Sequence, residues 1–503
     1  MYVQTARKPR SELLTAVRLL DLVKVFSPVL PEIEFPDEKI SLDEKVIFTI
    51  GAGLLFILSH LPIYGLIKDA PLKMTDPFPA LRPLYAMEQG TLLELGLLPV
   101  ITAAFVWQIA AGLRMVKVNL SYSQERELFQ SAQKLTSFTL AVVFGVALVF
   151  SGYYEPVVRG AGSAVSWTTY VLILTQIVGW NFLLTLIVEV IDKGYGFGSG
   201  IVCLLSLNAA TRLVRDVVGL EMVSTVPGGK PETYGVAIYL IKALFSFDLT
   251  TIKNAVIGVF SRAGFPTIGQ VILALVTGLA TIVLQNFRVE LPIRSNKARG
   301  TANVFPIRLL YTGALPVLFA FTVLANAQVT LHFASVFVEP FYPLVAHLFE
   351  SRSETGKVVS GLAFYISAPA SFTESLLSPI RGVVYTSLIL VLSAVFGRFW
   401  SGISGSAPKD IAQTFKDQGI VIAGRRDVSV TKELAKIIPV ASQTGAVVLA
   451  ALALVGEMTG SRGRTVALTV GVCGAFSVLE DFMTDYQQSG GASQIMSSLG
   501  GYQ

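Results

Sequence analysis

The chain has 503 residues, of which 52% are hydrophobic and 15% charged, with 39 Lys/Arg against 34 Asp/Glu. That balance lies outside the range of soluble globular domains, and the apolar runs are too long and too numerous for ordinary cores, so a polytopic membrane protein is expected. The two cysteines, Cys203 and Cys473, both fall inside apolar runs and indicate no disulfide framework, and the three histidines lack metal-ligand spacing.

The chain opens on MYVQTARKPR, without the apolar core and small-residue cleavage site of a removable signal peptide, so none is expected. Glu12–Phe26 sets Leu13, Val17, Leu20 and Val23 at helical spacing, with Arg18, Asp21 and Lys24 on another face. This predicts an amphipathic helix lying on the membrane surface or on the protein's own cytosolic loops. Pro28, Pro31 and Pro36 then interrupt the chain before the first span, Val46–Tyr64. The mixed segment between Ile67 and Glu94 is too polar to span and too apolar for a free loop. Irregular backbone cannot face lipid, so this segment should pack inside the protein or line a cavity. Leu97–Leu113, at roughly 17 residues, is near the lower limit for a span, and its position after a broken apolar segment points to a cavity near mid-membrane.

Leu135–Tyr153 and Thr168–Ile191 are clear spans. The glycines of KGYGFGSG (Lys193–Gly200) have no preceding strand and no Gly-Lys-Ser/Thr, so they read as a tight turn and not a phosphate cradle. Ile201–Val214 is a weak fifth span containing Asn208 and Arg212, and should face protein or water more than lipid. Glu221–Gly264 is a polar excursion. Ile268–Phe287 and Leu309–Ala327 flank a basic bridge, RVELPIRSNKARGTANVFPIRLLYT (Arg288–Thr312). Positive loops resist translocation, so this hairpin belongs on the cytosolic side and fixes the orientation of the rest. Leu331–Ile380, broken by Pro340, Pro343 and Pro369, is expected to be a structured extramembrane or re-entrant segment. Val383–Phe396, Ile437–Val455 and Val466–Leu479 complete ten spans, with a long cytosolic loop, Ser401–Lys436, carrying Arg425 and Arg426. Both termini then lie in the cytosol, and most of the Lys/Arg fall on that side.

The spans are nearly free of ionisable groups, and Glu94, Glu189, Asp192, Arg398 and Glu480 sit at their ends. Ion-coupled carriers and pumps keep carboxylates within the membrane, and a membrane hydrolase needs a nucleophile with its base or a metal at depth. No HExxH, GxSxG or carboxylate pair is present, so the sequence indicates no catalytic, cofactor or metal site and points to a passive conduit or a scaffold. Two apolar pairs stand at i,i+4 spacing, Leu97 with Ile101 and Ile201 with Leu205. Periodicity alone makes them packing residues; the functional alternative is a hydrophobic constriction that blocks ions when closed.

Several stretches resemble the eukaryotic α subunit of the Sec translocon, the SecY family. They are DPF (Asp76–Phe78), GTLLELG (Gly90–Gly96), RELFQSAQK (Arg126–Lys134), KGYGFGSG, ELPIRSNKARG (Glu290–Gly300), PIRLLYT (Pro306–Thr312), SGSAPKDIAQTFKDQGIVIAGRRD (Ser404–Asp427) and ELAKIIP (Glu433–Pro439). They run in collinear order over most of the chain. YQQSGG (Tyr486–Gly491) and VIDKG (Val190–Gly194) look most like the fungal auxiliary members of that family. The resemblance implies an all-α hourglass channel of ten transmembrane helices in two inverted five-helix halves. Segment 1–44 would be a cytosolic amphipathic N-terminus, and 45–218 the first half, with a plug at about 69–92. A luminal loop at 219–265 would precede the second half at 266–482, whose cytosolic loops are 288–308 and 398–436, and 483–503 would be a cytosolic tail.

By the same resemblance the pore ring falls on Leu97, Ile101, Ile201, Leu205, Leu318 and Val470, and the lateral gate is lined by Thr102 and Asn326. Where the family often has a glutamine on the third span this chain has Phe144, which makes the gate more apolar. Ribosome contacts map to Lys297, Arg299 and Arg426, in keeping with a basic surface meeting a polyanion. The implied function is a protein-conducting channel of the endoplasmic reticulum membrane. It would translocate or laterally insert nascent polypeptides, mainly while they are being translated on docked ribosomes. The implied partners are small one-span γ and β subunits, the ribosome, nascent chains bearing signal sequences or transmembrane segments, and the targeting-receptor machinery. A secondary transporter with inverted repeats and a non-conducting ribosome receptor are the alternatives.

Overall fold

The computed structural model describes residues 23, 24, 26, 30–66, 76–113, 115–116, 123–155, 167–223, 232–245, 249–260, 262, 265–295, 302–353, 356–403, 408–418, 420–422 and 427–489. Five helices make the first half of the chain: α1 (Leu42–Leu58), α2 (Leu98–Gly112), α3 (Ser123–Phe150), α4 (Trp167–Val190) and α5 (Gly200–Val218). A short ribbon, β1 (Met222–Val223) with β2 (Glu232–Thr233), then leads to α6 (Val236–Leu244) and α7 (Leu249–Gly258). The second half begins with α8 (Ile268–Gln285), the strands β3 (Arg288–Ser295) and β4 (Ala302–Arg308), and α9 (Leu315–Val338). After α9 come α10 (Pro343–Phe349), β5 (Ser351–Arg352), β6 (Val358–Ser360), α11 (Leu362–Ile366) and α12 (Phe372–Leu377). The chain closes with α13 (Pro379–Ile403), α14 (Pro408–Gln418), β7 (Ile420–Ile422), α15 (Asp427–Met458) and α16 (Arg464–Gln488).

Seven of these, α3, α4, α8, α9, α13, α15 and α16, are long and apolar enough to cross a membrane, and α2 is a shorter apolar helix. With α1 and the amphipathic α5 they make up the ten long helices the sequence leads one to expect. Local chemistry sets several starts. Ser41 with Glu44 and Thr267 with Gln270 form capping boxes for α1 and α8. Pro99 and Pro316 open α2 and α9, where a missing N–H costs nothing. The KGYGFGSG turn uses Gly194 at φ +96°, and the Asp192 carboxylate accepts from the Gly200 N–H at 2.7 Å, capping α5.

The seventh long helix extends beyond its expected end at Ala327, reaching Val338. Beyond the apolar run, Asn326 donates to the Thr322 carbonyl one turn back and Gln328 to the Ile366 carbonyl, so these polar side chains are satisfied within the continuing helix. The basic bridge is an antiparallel hairpin with Arg288 opposite Arg308. From the next cytosolic-type loop β7 adds to it, Ile293 facing Ile422, giving the order β4-β3-β7. Below this sheet Ile307, Phe415, Val430, Leu434 and Ile438 form a buried cluster, so two loops far apart in sequence are one body. Most of the expected N-terminal amphipathic helix lies outside the described residues; Val23 is buried in a cluster with Trp107 and Phe129.

Candidate functional site

The largest buried apolar cluster runs through the middle of the helix bundle and draws on both halves of the chain. Leu97, Ile101, Leu205, Leu318 and Val470 belong to it, each 2% exposed or less, and Ile201 packs against it. The four helices concerned, α2, α5, α9 and α16, thus each contribute side chains to one dry layer. Two cavities open on the hairpin side of that layer. One, about 370 Å³, lies within the first half and has Ile201 in its wall beside Gln108, Gln130 and Gln133. The other, about 490 Å³, has Leu318 and Val470 in its wall and reaches Arg308 at the base of the hairpin. Polar cavities narrowing onto apolar side chains are the arrangement needed to exclude ions by dewetting.

On the opposite side the mixed segment folds back beneath the layer. Phe78, Leu81, Leu84, Tyr85, Ala86 and Met87 are all buried in the same cluster. Gly96, at φ +53°, makes the turn from this segment into α2, and a Cβ there would lie 2.3 Å from the Tyr85 carbonyl oxygen, so glycine is required. The Leu97 N–H donates to the same carbonyl at 2.8 Å, and Asn181 donates to the Gly96 carbonyl at 2.7 Å. Leu97 and the turn that leads into α2 are thus tied together by hydrogen bonds.

The polar residues of α5 hold the other end of the segment. Asn208 donates to the Pro83 carbonyl at 2.7 Å and Arg212 to the Met87 carbonyl at 2.5 Å. Arg212 and Arg215 both pair with the Glu88 carboxylate, at 2.9 and 2.7 Å. Burial would raise the Glu88 carboxyl, but the two guanidinium groups hold it below the usual carboxylate range. Sequence reasoning noted that Asn208 and Arg212 spoil the fifth span without assigning them a task; that anomaly was the available signal. Across the bundle, Tyr85 donates to Thr322 of α9 at 3.2 Å. Within the segment, Arg82 pairs with Glu94 at 2.9 Å, and Glu94 also accepts from the Gly90 N–H at 2.6 Å.

At the seam between α2 and α9, Asn326 donates to the Thr102 hydroxyl at 2.9 Å, joining two residues 224 apart in sequence. Phe144 of α3 is half-buried and packs against both the central cluster and the smaller one around Leu95, Ile173 and Ile177. The motif charges of RELFQSAQK and VIDKG turn inward: Glu189 pairs with Lys134 at 2.6 Å and Lys193 at 2.9 Å. Lys134 also donates to the Pro31 carbonyl and Lys193 to that of Ile33, strapping the N-terminal segment to α3 and α4. On the hairpin, Arg308 pairs with Glu480 of α16, and Arg288 with Glu290 at 3.2 Å. Lys297, Arg299 and Arg426 lie outside the described residues.

Fold and site together define a polytopic helical membrane protein with a dry apolar layer at its centre, drawn from both halves of the chain. Residues 91–479 match the SecY family model. The chain is 38% identical over 497 residues to the Sec sixty-one protein homolog of Saccharomyces cerevisiae, covering 97% of this chain and 99% of that one. It is 36% identical over 455 residues to the protein transport protein SEC61 subunit alpha of Neurospora crassa, covering 90% and 93%. The solved structure of the idle yeast Ssh1 complex bound to the yeast 80S ribosome superimposes with a TM-score of 0.76 at 38% identity, covering 95% of this chain and 98% of that one. A protein-conducting channel structure at 22% identity shares the fold, with a TM-score of 0.72 over 93% of this chain and 97% of that one. The chain belongs to the SecY family.

Proposed function

We propose that the protein is the channel-forming subunit of a translocon in the endoplasmic reticulum membrane, passing or laterally inserting nascent polypeptides delivered by docked ribosomes. The observation that carries this reading is the single dry layer built from α2, α5, α9 and α16; in this reading Leu97, Ile101, Ile201, Leu205, Leu318 and Val470 are the ring and the segment at about 69–92, of which 76–92 are described, is the plug beneath it. A transporter would need a polar or charged binding site at that depth, where this chain places apolar side chains. The Thr102–Asn326 pair, together with Phe144, is the closed lateral gate in this reading.

The hairpin side faces the cytosol, with both termini there, because the basic loop Arg288–Arg308 resists translocation. Lys297, Arg299 and Arg426 would meet ribosomal RNA, and small one-span subunits would clamp the two halves. The named relatives support this: one is a transport protein subunit and another was solved on a ribosome.

A stalled nascent chain should crosslink to a photoreactive residue placed at Ile101 or at Leu205. Failure at both positions, alongside a crosslink from Arg299 to the ribosome, would reduce the protein to a receptor that does not conduct.

A further inference from the structure

We infer that the connection between α9 and α13 is seated in the bilayer, with the outer faces of α10 and α12 immersed in the phospholipid leaflet on the plug's side. Apart from Glu339, His347 and Lys357, which are exposed, its described charged and large apolar side chains are sorted inside out relative to a water-exposed loop. Leu344 and Leu377 are each 86% exposed and Leu376 66%, whereas Glu350, and Arg381 at the start of α13, are buried. Glu350, Arg352, Glu374 and Arg381 instead line a partly open cavity, together with Asp76 and Arg462. A segment facing water would bury the leucines and expose the charges.

The apolar face of α12 also continues the exposed stripe of a span. On α13, a helix apolar enough to cross the membrane, Val383, Val391 and Val395 are exposed at helical spacing. Leu376 and Ile380 extend that line back through Pro379 onto α12. At the other end of the connection Phe337, the one exposed large hydrophobic of α9, is followed by the exposed Phe341, Leu344 and Leu348, with Glu339 and His347 exposed among them. Acyl chains that cover the stripe on α13 therefore meet further apolar surface on α12. With 7 and 6 residues, α10 and α12 are too short to span, so the geometry left to them is interfacial, at a depth of roughly 5–10 Å. Phe341 and Tyr342, both exposed, stand where aromatic residues border a membrane. On its inner side Arg352 donates to the Pro77 carbonyl at 3.0 Å and Gln328 to that of Ile366 at 2.9 Å. The seated connection thus holds the start of the plug and the gate helix at one depth.

The test uses the purified complex in nanodiscs whose phospholipids carry a diazirine either near the headgroup or near the chain end, with adducts mapped by mass spectrometry. The shallow probe should label the peptides holding Leu344 and Leu377 about as strongly as the exposed face of α13. That labelling should exceed the 357–360 turn by roughly threefold or more, whereas the deep probe should favour Val391. Labelling of Val391 without either peptide would overturn the proposal, including the case in which a protein partner covers this face. Leu376→Asp with Leu377→Asp removes no buried atoms and should lower labelling of its peptide by roughly threefold. Unchanged labelling of that variant would likewise overturn it.

Discussion

At the residue scale, the closed state depends on a few polar contacts across otherwise dry surfaces. Glu88 is held by Arg212 and Arg215, with each partner less than or about a third exposed, so screening weakens these pairs only in part. Removing one member leaves a buried charge under-satisfied, and Arg212→Ala also frees the Met87 carbonyl. A cost of about 2 kcal/mol follows, or roughly 30-fold more unplugged channel, read as ion leak in planar bilayers. An unchanged leak would mean the plug is held by its apolar face alone. Because the folded carboxyl titrates below its ordinary value of 4.5, the latch is complete above that value and is lost as pH falls through the lowered one. Leak should therefore be flat from about pH 8 to 5 and rise only below that, a rise that Glu88→Gln should abolish. In the function proposed here, Phe144 belongs to the other barrier, the lateral gate. Replacing its ring, which packs into two clusters, by Phe144→Gln should let less hydrophobic signal peptides open the channel. Identical opening by peptides of graded hydrophobicity would sink that role.

At the element scale, the hairpin and the 408–436 loop act as one unit because β7 pairs with β3 and both rest on the cluster around Phe415. Phe415→Ala should cost about 3 kcal/mol of local stability, visible as faster amide exchange in β3, β4 and β7. Ribosome binding should weaken with it while the leak stays at wild-type level. What the sequence disclosed here follows from range. The spans and the hairpin were legible because apolar periodicity and the Arg/Lys cluster are local signals. The β7 strand was not, since three residues, Ile420–Ile422, become a strand only by meeting Ile293–Ser295. Similarly, the contact of Asn326 with Thr102 has no local signal, because the two are 224 residues apart, and both were reached only by resemblance. The i,i+4 spacing exposed Leu97 with Ile101 and Ile201 with Leu205 as pairs. Leu318 and Val470 were reached only by resemblance, since each sits in an apolar stretch with nothing local to mark it.

At the scale of the whole molecule, the two roles proposed, sealing and docking, fall on two separate apolar clusters: the central one, and the small core beneath the three-stranded sheet. They meet where Arg308 pairs with Glu480 and the hairpin-side cavity runs from Arg308 down to Leu318 and Val470. A ligand on the sheet can therefore bind without disturbing the ring, which is what an idle, docked and sealed channel requires. Ribosomal RNA binding would release counterions in proportion to the phosphates neutralised. Arg299→Glu with Arg426→Glu should therefore weaken co-sedimentation with ribosomes most at low salt. The slope of log affinity against log salt should fall by about one for each phosphate left without its cation. The same double variant should leave the ion leak of the unbound channel unchanged, because both positions lie in polar loops of the sequence, outside the apolar spans. A flat salt slope in the wild-type chain would remove RNA as the partner of this face. A leak in the double variant would show instead that the sheet and the ring are mechanically one.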